Sequence, residues 1–186
     1  MSRLEGTRIL TFVHNEFDDL SLWYPVLRLR EEGAFVYLAG EEAGKAYYGK
    51  HGVPALTDFA FEEVDPHEYN GVLIPGGWAV DKLRRFGHVI KFVHDMDALN
   101  KTIGHFSHGG SVLISAKILN GRTVTSALSI KEDMENAGAN WQDDAVVVEG
   151  NLVSSQRQPD LPKYMKTYID CLIRNKQRGE NQLTPQ

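Results

Sequence analysis

The sequence predicts an α/β fold around a largely parallel sheet, and three observations point to it. Strand-like and helix-like patterns alternate from end to end. No internal repeat, linker or low-complexity segment divides the 186 residues, a length that suits one domain. Several strand-like runs stop in turns rich in glycine, histidine or serine, and parallel strands place ligand sites beyond such carboxyl ends.

Residues 8–13 (RILTFV) form a β-rich run that stops at the polar turn His14-Asn15-Glu16. Asp18 is placed to cap a helix that runs to Glu32 and is closed by Gly33, with Pro25 expected to kink it. Residues 34–39 (AFVYLA) are the second strand, and 71–74 (GVLI) another, stopped by Pro75-Gly76-Gly77. Val89, Phe92, Val93, Met96 and Leu99 recur at helical spacing, which predicts a helix after Gly87. Residues 102–106 (TIGHF) read as a short buried strand, followed by Ser107-His108-Gly109-Gly110 and an apolar helix over 111–118. Leu161, Tyr164, Met165, Tyr168, Ile169 and Leu172 make one helical stripe, started by Asp160 and Pro162. The domain is expected to span 1–173, with 174–186 a polar, frayed tail.

Cys171 is the only cysteine, so no disulfide forms within the chain and a reducing compartment is suggested. The first residues lack an apolar signal core, and no run approaches the roughly 20 apolar residues of a membrane span. The expected location is cytoplasmic, without a membrane partner. Net charge is −5 with the two signs interspersed, which leaves no basic stripe to neutralise phosphates. Lys82, Arg84 and Arg85 read as a solvated helix face, so no nucleic-acid partner is expected and a small-molecule substrate is.

Three strand ends carry chemistry: His14, Pro75-Gly76-Gly77-Trp78, and His105-Phe106-Ser107-His108-Gly109. The last has the strand–turn–helix form of a nucleophile elbow. A helix starting at His108 would aim backbone N–H groups at an anion beside Ser107, and Gly76 and Gly77 would let a second N–H approach. Together they form a candidate oxyanion hole. A turn in which Ser107 merely caps a helix is the plainer alternative, but two neighbouring histidines need a purpose or a partner.

Several segments carry a resemblance to a known family. Residues 15–25 (NEFDDLSLWYP) and 28–33, Gly49-Lys50-His51-Gly52, Leu73-Ile74-Pro75-Gly76-Gly77 and Ser107-His108-Gly109 are among them. So are Leu113-Ile114-Ser115-Ala116, Gly121-Arg122, Thr125-Ser126, 136–141 (NAGANW) and 154–162. Together, over roughly residues 7–172, they resemble the ThiJ/PfpI superfamily, nearest its PfpI-type intracellular proteases and amidases. The resemblance implies a flavodoxin-like three-layer sandwich with a mostly parallel central sheet, related to class I glutamine amidotransferases. It implies an elbow cysteine in an A-I-C-H-G pattern and assembly as dimers or larger rings. Activities ascribed to such proteins include protease, deglycase, glyoxalase, hydratase and stress chaperone.

Against that pattern, Ser107 stands where the cysteine belongs and Ser21 where a glutamate meets the thiol. Trp78 replaces a small or charged residue, Ala127-Leu128-Ser129 an aromatic–Pro–Gly run, and Gln156 a common arginine. His14 and His105 occupy positions where small residues are usual. A thiol with pKa about 8.5 can be tuned to a thiolate, whereas a serine hydroxyl needs a general base.

Three alternatives follow for the site. Ser107, His108 and Asp81 form a serine version of the family's triad, with Asp81 matching an acid supplied by a neighbouring subunit. Or His14 and His105, at the ends of neighbouring strands near Ser107 and close to Asp18 and Glu16, perform acid–base chemistry on a small carbonyl compound, as a hydratase, isomerase or lyase does. In that pocket Trp78, Trp23 and Phe106 supply apolar walls, and Ser21 and Gln156 complete the lining. Or the chain is a non-catalytic binding, stress-related or structural subunit. Two histidines gained together favour an enzyme acting on a small carbonyl, ester or amide-type compound without a cysteine nucleophile. No i,i+4 histidine pair or other ligand spacing supports a metal, and no cofactor is implied. His51 reads as structural or at a subunit contact, His67, His88 and His94 as surface residues, Cys171 as a half-buried packing thiol, and Tyr47-Tyr48 as a candidate interface.

Overall fold

The computed structural model describes residues 2–182. Strand β1 (Arg8–Phe12) leads into helix α1 (Asp19–Glu31), whose N-cap Asp18 accepts a hydrogen bond from the Ser21 N–H at 2.8 Å. Pro25 lies inside α1 without ending it, and Gly33 follows with φ +89°. Strand β2 (Phe35–Gly40), the hairpin β3 (Ala46–Tyr48) and β4 (Pro54–Leu56), and β5 (Phe59–Ala60) come next. Then follow β6 (Gly71–Ile74), α2 (Ala79–Leu83), α3 (Gly87–Ala98), β7 (Thr102–Phe106) and α4 (Gly110–Ser115). The chain ends through β8 (Thr123–Val124), α5 (Lys131–Asn136), β9 (Asn140–Trp141), β10 (Val146–Glu149), β11 (Leu152–Ser155) and α6 (Leu161–Gln182).

Seven strands make the central sheet in the order β10-β11-β7-β6-β1-β2-β5, parallel throughout except for the antiparallel edge pair β10–β11. Strand order reverses between β1 and β6, the crevice where such sheets bind ligands. One core lies under α1 and α6, where Leu22, Val26 and Leu29 meet Tyr164, Tyr168 and Ile169. The other lies under α2–α5 and gathers Val80, Val89, Phe92, Met96, Val112 and Met134. This is the expected three-layer flavodoxin-like sandwich. Gly104 in β7 is needed for it, because a Cβ there would meet the Tyr164 hydroxyl and, at 2.8 Å, Leu73.

Three expectations are corrected. Helix α6 continues past Arg174 to Gln182, so residue 174 does not begin a separate tail; 183–186 lie outside the described residues. Cys171 is fully buried rather than half-buried, with its thiol 3.9 Å from the Gly150 carbonyl oxygen. Tyr47 belongs to the core, leaving only Tyr48 of that pair exposed. The sequence gives no signal for the short strands β3–β5 and β8–β11, since runs of two to four residues show too little alternation to read. Among the described residues no helix is long and apolar enough to cross a membrane.

Candidate functional site

The chain turns sharply after β7. Ser107 adopts φ +55°, a left-handed conformation that a serine keeps only where its surroundings impose it. Those surroundings are close. A Cβ on Gly109 would lie 2.8 Å from the Ile74 carbonyl oxygen, and one on Gly76 would lie 3.3 Å from Ser107 Cβ. The Ala127 N–H donates to the Ser107 carbonyl oxygen at 3.2 Å. An elbow therefore presents the Ser107 hydroxyl at the top of the sheet.

Its oxygen lies 3.3 Å from Nδ1 of His108, and Nε2 of the same ring lies 2.9 Å from the Ser129 hydroxyl. Burial lowers the pKa of His108, which keeps the ring neutral near pH 7. A neutral imidazole has one N–H. If Nε2 carries it toward Ser129, Nδ1 is left to accept from Ser107. Trp78, 63% exposed, covers the ring with centroids 5.7 Å apart.

These groups face a cavity of about 460 Å³ above the ends of β1, β6, β7 and β11. Its wall holds Asp18, Gly77, Trp78, Phe106, Ser107, His108 and Gln156, all expected site residues. Lys50, Arg157, Gln158 and Pro159 also line it and were not singled out from the sequence. Ser129 was missed as a site residue too. The only signals for them were membership of the family-like loops around Gly49-Lys50-His51-Gly52 and 154–162, and, for Ser129, the altered Ala127-Leu128-Ser129 run.

The expected oxyanion hole is narrower than two glycine N–H groups. Gly76 donates its N–H to the buried Ser21 hydroxyl at 2.9 Å and is occupied. The Gly77 N–H makes no hydrogen bond among the described residues. Gly77 has φ +88°, and a Cβ there would reach within 2.6 Å of the Glu16 carbonyl oxygen, so only glycine fits.

Helix α1 fixes the rim. Asp18 accepts from the Ser21 N–H through Oδ1 and from Gln158 Nε2 through Oδ2, each at 2.8 Å. The buried Asp19 accepts the His51 N–H at 2.9 Å and the Val53 N–H at 3.1 Å, which ties down the loop bearing Lys50. Buried Gln156 donates to Thr125 Oγ1 at 2.7 Å and Asp143 Oδ1 at 3.0 Å, so its two amide protons are committed inside the protein.

The histidine cluster does not form. Strand β6 lies between β1 and β7, so His14 and His105 are not on neighbouring strands, and neither lines the cavity. His14 packs between Tyr47 and Phe86, accepts the Asn15 N–H at 2.8 Å, and lies 3.5 Å from Glu41. Burial, then the Lys82 charge, lowers its pKa. His105 is fully buried under α4, neither ring nitrogen has a partner, and burial pushes its pKa down to about 3.

Glu16, at φ +72°, contributes its backbone rather than its carboxylate. Its carbonyl oxygen accepts the Trp78 and Ala79 N–H groups at 2.9 and 3.2 Å. Asp81 is exposed on α2, pairs with Arg85, and does not line the cavity. Trp23 packs against the α1–α6 core, while His51, His67, His88 and His94 are exposed. Among the described residues no three His, Cys, Asp or Glu side chains gather as a metal site.

Residues 7–171 match the DJ-1/PfpI family. Deglycase PfpI of Pyrococcus furiosus is 41% identical over 165 residues, covering 89% of this chain and 99% of the relative. A deglycase of Thermococcus kodakarensis is 40% identical over the same shares. A solved two-domain protein of Anabaena variabilis, with DJ-1/ThiJ/PfpI-like and ferritin-like domains, is similar at TM-score 0.88 and 31% identity. The match covers 90% of this chain and 48% of that one, so this chain spans about half of the two-domain protein. DJ-1beta of Drosophila melanogaster shares the fold at TM-score 0.84 and 20% identity, over 97% of this chain and 99% of that one. A three-layer sandwich with a left-handed elbow after its central strand, matched along nearly all of its length, places this chain in the DJ-1/PfpI family.

Proposed function

We propose that this protein is a serine-dependent hydrolase of a small ester or amide-type compound. The observation that carries it is the line Ser107–His108–Ser129 at the wall of the cavity. Ser107 Oγ adds to the substrate carbonyl carbon while its proton passes to Nδ1 of neutral His108. The donor for the oxygen that gains charge is the Gly77 N–H, which is unbonded among the described residues and belongs to a residue of the cavity wall. Collapse of the adduct breaks the bond to the alcohol or amine, which leaves with the proton from His108. Water then adds to the acyl-serine, gives one proton to His108, and releases the acid as Ser107 is re-formed. Ser129 orients the ring and accepts from Nε2 in the tautomer these steps require, standing where aspartate stands in the better-known triads.

The deglycase names of the relatives support hydrolytic chemistry at the level of the family. Among the described residues the one thiol, Cys171, is buried in α6 and does not line the cavity. Asp81 enters only if a neighbouring subunit brings its carboxylate to this site, in a homo-oligomer such as a dimer or larger ring. Exposed Tyr48, Val53 and Leu56 offer apolar surface for assembly, which light scattering reads directly.

A non-catalytic binding subunit is favoured by one observation, the 3.3 Å separation of Ser107 Oγ and Nδ1, long for an O–H···N bond. Intact mass after exposure to a fluorophosphonate separates the two. One adduct on the protein, absent from Ser107→Ala, is expected. An unmodified protein sinks the nucleophile and leaves the binding subunit.

A further inference from the structure

The cavity is charged against the sign of the protein that contains it. Net charge is −5, yet Lys50 and Arg157 reach the cavity wall from separate loops. Lys50 has no ion-pair partner among the described residues. Arg157 is 73% exposed, and among the described residues the one carboxylate it approaches is Asp160, at 3.7 Å. Among the described residues Asp18 is the one carboxylate on the wall, and both of its oxygens already accept hydrogen bonds. His108 adds no charge in its neutral form. Both cations are exposed at the mouth of the cavity, so they act on a ligand as solvated charges whose pull added salt weakens. Beside them stands Trp78, a large apolar ring left exposed at the rim and held against His108 rather than folded into the core.

We infer that Lys50 and Arg157 select substrates that carry an anionic group next to a flat apolar one, with Trp78 as the surface on which the flat group lies. The inference rests on the cavity being the substrate site, and it names the class of compound admitted. A cavity of about 460 Å³ accommodates a ring with a short charged arm beside the Ser107 hydroxyl. An aryl acid derivative has that form, and a neutral alkyl ester of the same volume meets neither the cations nor the ring.

Calorimetric titration with phenylacetate and the uncharged, non-hydrolysable 2-phenylethanol tests this without turnover. Phenylacetate is expected to bind the wild-type protein about fivefold more tightly than the alcohol, as exposed cations provide. The ratio falls to about one in Lys50→Gln/Arg157→Gln and survives in Lys91→Gln, a cation on α3 away from the cavity. Trp78→Ala weakens both ligands and leaves the ratio intact. Added salt shrinks the ratio in the wild type. Equal affinities, no phenylacetate binding at millimolar concentration, or a ratio that persists in the double variant overturns the inference. Fluorophosphonate labelling of the wild type keeps the two claims apart. A charge preference without an adduct removes the nucleophile alone, and an adduct without a preference removes the selectivity alone.

Discussion

The Ser129 hydroxyl lies 2.9 Å from Nε2 of His108, on the edge of the ring opposite Ser107. A side chain outside the cavity wall thereby holds the ring in place, and accepts from its proton-bearing edge when Nε2 carries the hydrogen. The contact comes from the loop after β8, so the ring is held between two segments far apart in sequence.

Replacing Ser129 with alanine should slow fluorophosphonate modification of Ser107 about tenfold, the equivalent of one lost hydrogen bond. Ser129 is exposed, so the unfolding temperature should not move. An unchanged rate would show that the ring is oriented by something else.

The Ser21 hydroxyl is the acceptor for the Gly76 N–H in a buried setting. Ser21→Ala leaves that donor without a partner and should cost about 1–3 kcal/mol of stability, read from urea unfolding. Ser21→Thr keeps an oxygen in place and should recover most of the loss. Equal stability of wild type and Ser21→Ala would mean that water replaces the hydroxyl.

His105 should make the fold sensitive to acid. Burial lowers its pKa from an ordinary 6.5 to about 3 in the folded protein. Between those values the unfolded chain binds a proton that the folded one refuses, so stability falls as pH drops through that window. The full effect is of order 5 kcal/mol, present above pH 6.5 and lost by about pH 3. His105→Leu removes two unpartnered ring nitrogens and should flatten this dependence. A variant whose unfolding temperature falls as steeply between pH 7 and pH 4 would place the acid sensitivity elsewhere.

The elbow was legible because its signal is local. A buried strand, a serine and a run of glycines must turn sharply to continue as a packed helix, and Ser107 does so at φ +55°. Asp18 as cap was legible for the same reason. The pairing of His14 with His105 failed because strand order is not local. Nothing within β1 or β7 states that β6 will be inserted between them. Side-chain alternation added to the error, for His105 points under α4, whereas Phe106, on the opposite face of β7, lines the cavity. Ser129, Lys50 and Arg157 enter from loops whose approach depends on the finished sheet, and no spacing in the sequence encodes it.

The carboxylates of Asp18 and Asp19 point in opposite directions from the start of α1, one toward Ser21 and Gln158, the other into the loop that carries Lys50. Through Ser21, the same first turn also grips Gly76. The mouth of the cavity is thus divided into a fixed jaw and a loose one. Segments 15–21, 49–53 and 76–78 are fastened to a single helical turn and shift together or not at all. Segment 157–159 is joined to that turn by one side-chain bond, from Gln158, and is largely exposed. Substitutions that reshape what the protein admits should therefore accumulate on the loose jaw, where a change of side chain leaves the elbow and its helix undisturbed.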